Sequence, residues 1–315
     1  MCMLIGTISN NDPNEATYRI TIQALTKSLK ELGHTVCDIS ELTSYPEVLF
    51  GIRHINPETP ELKSFILECK QQGTKICCYI NDVYRADDSR LKAWANISDI
   101  IFTPTKYHKL FIESICDNRV EVLPDSIDYQ ISTPYDKTHV NKDQLKVCWF
   151  GYAESYNKSM GIYHPIIEDL INQNKIEYTI ISQNIKLPPH INFTEFNPKS
   201  FCEDLKQFDL CVLSHAPLDY SINTFVKSPN KLSLAISLGV PCITSKTPSY
   251  RDLLSECSLE QYCFSSPDEF KTLINKMASA EIRNEYLNKS QQIIINNFGY
   301  KTLGKIFLDK LNKNN

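Results

Sequence analysis

Two lysines four positions apart, Lys227 and Lys231, bracket a Ser-Pro-Asn step in the stretch Phe225-Val226-Lys227-Ser228-Pro229-Asn230-Lys231-Leu232. Ser228 suits a helix N-cap and Pro229 the first helical position, so the spacing predicts a helix from Pro229 to Leu238 with Gly239 past its end. Lys231 then falls in the first turn and Lys227 just before it, where the helix dipole disfavours each cation by about 0.3–1 kcal/mol. An anion reverses that balance: the N–H groups of a helix start, with two ammonium groups and the polar Ser228 and Asn230, form a site for a phosphate or diphosphate. A solvated turn carrying two stray lysines fits the same residues. Beyond the helix, Pro241–Thr244 reads as a buried strand that delivers Thr244 and Ser245 at its carboxyl end.

Three other stretches follow strand-like runs. Gly151-Tyr152-Ala153-Glu154-Ser155-Tyr156-Asn157-Lys158-Ser159 comes after the run Lys146–Phe150. Gly151 permits a close backbone approach to a ligand and Lys158 has the reach of a phosphate partner, though an ordinary polar connection reads the same way. Asn81-Asp82-Val83-Tyr84-Arg85 follows Ile76–Ile80, which makes Asp82 either a general base, or a carboxylate that holds an acceptor hydroxyl, or a turn residue. The loop Ser9–Asn14, with Asn11 inside it and Arg19 one turn into the next helix, follows the first run; Asn11, Arg19 and Arg85 are the polar groups on that side.

Open parallel sheets bind ligands at the carboxyl ends of their strands, so these stretches matter only if the elements before them are parallel strands. The pattern supports this. Short apolar runs alternate with amphipathic ones along nearly the whole chain. Strands are expected at Cys2–Ile8, Thr35–Ile39, Val48–Ile52, Lys75–Ile80, Asp99–Phe102 and Arg119–Leu123, with helices over Glu15–Leu32, Pro60–Gln72 and Tyr107–Ile115. Asp87-Asp88 reads as the start of a further helix at Leu91. A polar, proline-bearing connection between Pro124 and Gln144 separates this set from a second one. That set has strands at Lys146–Phe150, Glu177–Ser182, Asp209–Ser214 and Pro241–Thr244, and helices over Tyr163–Asn172, Ser200–Gln207, Pro229–Leu238 and from Glu281 onward, broken near Gly299. The expected fold is α/β, with two doubly wound, Rossmann-like domains facing across a cleft, residues 1–140 and 145–297, and a terminal helix over 298–315.

Composition narrows the chemistry. The 315 residues include only 9 glycines, no two closer than five positions, so a G-x-G-x-x-G dinucleotide loop is absent. Gly299–Lys305 imitates phosphate-loop spacing, but Ile306 stands where a Ser or Thr would hold Mg2+, and the spacing is read as coincidence. The net charge of −4 argues against nucleic acid as a partner. Residues 1–145 carry 15 basic and 20 acidic side chains against 18 and 17 in 146–315, which makes the second half the better anion binder. There is no Asp-x-Asp pair, no G-x-S-x-G elbow and no histidine set at ligand spacing; His34, His108, His164 and His215 read as packing or surface residues. The 12 cysteines read as reduced, buried thiols, and no stretch reaches the roughly 20 apolar residues of a membrane span. The expected setting is cytoplasmic, with at most peripheral contact at the inner face of a membrane.

Several segments resemble the GT-B fold glycosyltransferases, broadly the group 1 (family 4) glycosyl transferases. Leu25–Val36 is similar to the helix and strand that open such proteins, Ile101–Thr105 to their strand leading to a Ser or Thr, and Val120–Asp128 to their link between domains. The most specific segment is Asn230-Lys231-Leu232-Ser233-Leu234-Ala235-Ile236-Ser237-Leu238-Gly239-Val240-Pro241-Cys242-Ile243-Thr244-Ser245, similar to the donor-binding helix and the strand after it. The family's two glutamates in this motif are replaced by Val226 and Leu234, and the glycine pair after its first strand is missing. The resemblance implies transfer of a sugar from a nucleotide-activated donor, a co-substrate held by residues 145–297, to a glycan or lipid-linked acceptor on the side of residues 1–140, with the 298–315 helix packing back on the first domain and no obligatory metal or other cofactor. Lys227, Ser228, Asn230 and Lys231 would then hold the donor diphosphate. A nucleotide-sugar epimerase and a non-catalytic nucleotide- or sugar-binding protein are the alternatives.

Overall fold

A computed structural model describes residues 2–82, 88–128, 130–183, 187–215 and 222–313. It contains two compact units: the first is Met1–Ser132 with Phe225–Ser228 and Phe298–Asn315, the second Thr133–Thr224 with Pro229–Asn297.

The first unit holds strands β1 (Leu4–Ile8), β2 (Thr35–Asp38), β3 (Val48–Ile52), β4 (Lys75–Tyr79), β5 (Ile100–Thr103) and β6 (Arg119–Val122). They form one sheet in the order β2-β1-β3-β4-β5-β6, every pair parallel. Its helices are α1 (Ala24–Glu31), α2 (Pro60–Gln71), α3 (Ser89–Ile97) and α4 (Lys106–Glu113). Alternation along the strands feeds two cores: Phe50, Cys77 and Phe102 pack on one face with Leu25 and Leu29, while Leu49, Cys78 and Ile101 pack on the other with Ile66 and Trp94. Adjacent Cys77 and Cys78 therefore point to opposite faces of β4, as a two-residue side-chain period requires.

The expected helix over Glu15–Leu32 is helical over 16–31, with a π-helical stretch, Tyr18–Gln23, ahead of α1. No side chain caps its start. A terminal helix, Tyr300–Asn312, lies against α1 and puts Phe307 edge-on to Phe50 at 5.4 Å. The Gly304 N–H donates to Ser28 Oγ at 3.1 Å, and a Cβ on Gly304 would overlap that hydroxyl. Gly304, the second glycine of the phosphate-loop imitation, is thus a helix-packing residue.

The second unit holds β7 (Leu145–Phe150), β8 (Ile176–Ser182), β9 (Asn192–Glu195), β10 (Leu210–Leu213), β11 (Cys242–Ser245) and β12 (Cys263–Phe264), in the parallel order β12-β11-β10-β7-β8-β9. Its helices are α5 (Ala153–Met160), α6 (His164–Asn172), α7 (Phe201–Lys206), α8 (Ile222–Val226, which runs on into the first unit), α9 (Asn230–Ser237), α10 (Pro248–Glu256), α11 (Pro267–Lys276) and α12 (Ala280–Phe298). β9 and β12 lie at the sheet's edges and were not expected. β9 reads Asn-Phe-Thr-Glu and β12 has two residues, so neither offers an apolar run. Helices α5, α10 and α11 are also additions; the last two begin at Thr247-Pro248 and Ser266-Pro267, with Ser266 accepting from the Glu269 N–H.

Cys148, Cys211 and Cys242 stand in register across β7, β10 and β11, fully buried. All 12 cysteines are free thiols, although Cys2 is exposed and Cys37, Cys116 and Cys202 are only partly buried. Among the described residues no helix is long and apolar enough to cross a membrane.

Candidate functional site

In the second unit the strand order reverses direction between β7 and β10, and a reversal of this kind opens a crevice at the strands' carboxyl ends. β7 delivers Trp149, Phe150 and then Gly151, whose φ of +149° favours glycine. α9 starts at Asn230, with Pro229 rather than Ser228 as its capping residue and no side-chain cap, which shifts the expected helix start by one residue. Lys231, in the first turn, extends over the indole of Trp149 at 5.1 Å and the ring of Phe150 at 5.8 Å. A Cβ on Gly151 would overlap both Lys231 Nζ and the Trp149 ring. The backbone at φ +149° and the Trp149 ring call for a glycine at residue 151, and the Lys231 ammonium fills the space this leaves. The two rings attract the cation by about 0.5–2 kcal/mol, which holds the ammonium at the helix start.

The other residues expected here take different roles. Thr244 is buried, its hydroxyl 3.5 Å from Cys263 Sγ. Ser245 Oγ accepts from the His215 N–H at 3.1 Å, and the His215 ring stacks on Tyr250 with Nε2 3.0 Å from its hydroxyl. Ser245 and His215 thus join the ends of β10 and β11, and His215 packs, as its isolation in the sequence suggested. Lys158 lies on α5, where a turn was expected, and its ammonium pairs with Glu154 at 2.6 Å on an exposed face. That pairing holds the Glu154 carboxyl below its ordinary range.

Lys227 and Ser228, grouped by sequence with Asn230 and Lys231, fall in the first unit, and the backbone changes unit between Ser228 and Pro229. Lys227 Nζ pairs with Asp82 Oδ1 at 2.6 Å, just past the carboxyl end of β4. The Val226 carbonyl accepts from Thr105 Oγ1 at 3.0 Å, and the same oxygen caps α4 by accepting from the His108 N–H. Phe225 meets Tyr107 edge-on at 5.3 Å. Ser228 is buried, and so is the Asp125 carboxylate, which accepts from the Tyr79 hydroxyl at 2.5 Å; burial pushes the Asp125 pKa up.

His108 is fully buried, and neither ring nitrogen has a hydrogen-bond partner among the described residues. Burial lowers its pKa to about 4. Arg53, after β3, pairs with Asp88, which caps α3 by accepting from the Arg90 and Leu91 N–H groups. Asn11 and Arg19 are taken up by the fold. Asn11 has a φ of +54° and donates to Asp38 at 2.9 Å, while Arg19 donates to the Pro13 and Asn14 carbonyls and lies 3.6 Å from Asp128. Arg85 lies outside the described residues, as does Asp87. No group of three or more His, Cys, Asp or Glu is placed to hold a metal ion among the described residues.

Sequence reasoning missed Trp149, Asp125 and Tyr79. A tryptophan two residues before Gly151 was a visible signal for the first; nothing local marks the other two, which meet only when β4 and β6 share a sheet.

No protein-family model matches the chain, and no curated protein matches it in sequence. Solved structures do match. The glycotransferase of kitacinnamycin is 11% identical with a TM-score of 0.55, over 99% of this chain and 100% of that one. TarM is 12% identical with a TM-score of 0.62, over 84% of this chain but only 55% of its own. A putative UDP-N-acetylglucosamine 2-epimerase from Listeria monocytogenes is 12% identical with a TM-score of 0.53, over 100% of this chain and 98% of that one. The two parallel six-stranded sheets with their helices are a GT-B glycosyltransferase-like fold.

Proposed function

We propose that this protein is a glycosyltransferase that moves a sugar from a nucleotide-activated donor to a glycan or lipid-linked acceptor, with no obligatory metal. The observation that carries the reading is Lys231 seated on Gly151 at the start of α9, beside the reversal in strand order of the second unit. In this reading the second unit holds the donor diphosphate through Lys231, Asn230 and the N–H groups of the helix start. As the bond between the sugar's anomeric carbon and the diphosphate oxygen breaks, negative charge accumulates on that oxygen, and a preset cation stabilises it. Asp82 of the first unit accepts the proton of the acceptor hydroxyl as the new glycosidic bond forms.

Lys231→Ala tests this directly. Expected is a loss of about ten- to hundredfold in nucleotide-sugar turnover, the range of one charged hydrogen bond, in a protein that stays folded. Unchanged donor hydrolysis and transfer in that variant would reject the assignment. A thermal-shift panel of UDP, GDP, ADP, dTDP and CMP identifies the nucleotide, since ligand at 100 times its dissociation constant adds about 2.7 kcal/mol.

A second reading, nucleotide-sugar epimerase, is supported by the end-to-end match to the Listeria protein, which the kitacinnamycin glycotransferase equals in coverage. An epimerised free nucleotide sugar, formed with no acceptor present, would select it.

A further inference from the structure

The polar, proline-bearing connection enters the second unit at Thr133 and there grips the closing end of α9. A helix leaves its last carbonyls without intrahelical partners, and those at and just past the end of α9 are matched by other parts of the chain. The Tyr135 N–H donates to the Ser237 carbonyl at 2.9 Å. Gln291 Nε2, on α12, donates to the Ile236 carbonyl at 3.1 Å and to the Tyr135 carbonyl at 3.0 Å. His139 Nε2 lies 3.0 Å from the Gly239 carbonyl, and because that oxygen can only accept, Nε2 carries the proton. The His139 ring is buried, with Nδ1 3.8 Å from the Asp209 carboxylate. Asn284 fixes its backbone, accepting from the His139 N–H at 2.8 Å and donating to the His139 carbonyl at 3.0 Å.

The start of the same helix has no side-chain cap. Its buried side chains are Leu232, Ala235 and Ile236, with Ser233 and Ser237 turned back on the helix's own backbone. Apolar burial is non-directional, so it selects the covered face without fixing the helix along its axis; the directional bonds are those at the closing end. The 8 residues of α9 span only about 12 Å, so an end that is pinned carries the first turn with it. We infer that His139 and Gln291 are positioning residues: by gripping the closing end of α9 they set where Lys231 meets Trp149, and with it the affinity for the donor diphosphate. The inference rests on the donor role given to Lys231 above, but the grip itself can be measured without nucleotide.

The test compares His139→Phe, Gln291→Met and His139→Gln with the wild type, all as the full chain. His139→Phe keeps a ring and Gln291→Met the length of the side chain, each without the donor, whereas His139→Gln returns an N–H donor near the position of Nε2. The first readout is the rate at which an acetylating amine reagent labels Lys231, measured by mass spectrometry against the other lysines. The second is calorimetric affinity for UDP, GDP, ADP and dTDP. His139→Phe and Gln291→Met are expected to raise Lys231 labelling and to weaken binding of the nucleotide the wild type takes, each by about three- to tenfold, the range of one hydrogen bond, and His139→Gln to match the wild type in both. If His139→Phe fails to fold, Gln291→Met carries the comparison. Unchanged Lys231 labelling in Gln291→Met, or in a folded His139→Phe, overturns the inference, as does raised labelling with wild-type affinity. Raised labelling in a protein whose wild type binds none of these nucleotides supports the grip and instead rejects the donor role of Lys231.

Discussion

Lys231 Nζ occupies the space that a side chain on residue 151 would fill. The two positions are 80 residues apart in sequence and meet at the carboxyl edge of one sheet. Gly151→Ala is therefore expected to displace the ammonium and to strain a backbone at φ +149°, destabilising the fold by about 1–3 kcal/mol. Its diagnostic effect is on ligand: calorimetric affinity for the stabilising nucleoside diphosphate should fall by about tenfold, as for one lost charged contact. A variant that loses stability but binds the nucleotide normally would disconnect Gly151 from the site.

Asp82→Asn keeps the size and one acceptor oxygen of the side chain but removes its basicity. Expected is a fall in kcat of about 10²–10⁴ with donor affinity preserved, read from steady-state kinetics and nucleotide titration. Equal loss of donor affinity would place Asp82 in donor binding instead.

His108 predicts a pH dependence of stability. Burial lowers its folded pKa to about 4, against about 6.5 unfolded, with Asp82 opposing the shift and Lys227 and Arg53 adding to it. Between those values the unfolded chain binds the extra proton, so stability falls as pH drops from about 6.5 to about 4, by roughly 3 kcal/mol across the window. His108→Gln should flatten that slope in urea unfolding measured at several pH values. An unaltered slope would mean that other groups govern the acid limb.

Gly304→Ala should drive a Cβ into the Ser28 hydroxyl and against Leu32, destabilising the first unit by about 1–3 kcal/mol. Nucleotide affinity should not change, because this packing lies within the first unit. Thermal unfolding and calorimetry on the same sample separate the two effects.

Most of the fold was legible because its strands are short apolar runs bounded by turn residues. β3, Val-Leu-Phe-Gly-Ile, and β4, Lys-Ile-Cys-Cys-Tyr, are buried on both sides and carry the signal in composition alone. β9 escaped because an edge strand needs no apolar run. α5 escaped because Ala-Glu-Ser-Tyr-Asn-Lys-Ser-Met reads as a polar turn until its buried Tyr156 and Met160, one turn apart, are seen to share a face. In the candidate site, Lys231 and Gly151 were each visible from local sequence, but their contact was not. That Lys227 and Lys231, four positions apart, fall in different units is a division that local sequence does not mark.

The first unit is assembled from three separate stretches of chain, the last of which supplies Phe307 to the aromatic core around Phe50 and Phe102. A polypeptide emerging from the ribosome presents residues 2–132 early, yet the face of the sheet that carries Phe50 and Phe102 is not fully covered until the terminal helix has followed some 170 residues later. The second unit, begun later, has all of its residues first. Order of synthesis and order of completion are thus reversed, and the exposed face of the first sheet is the part of the nascent chain that most needs protection from association during translation.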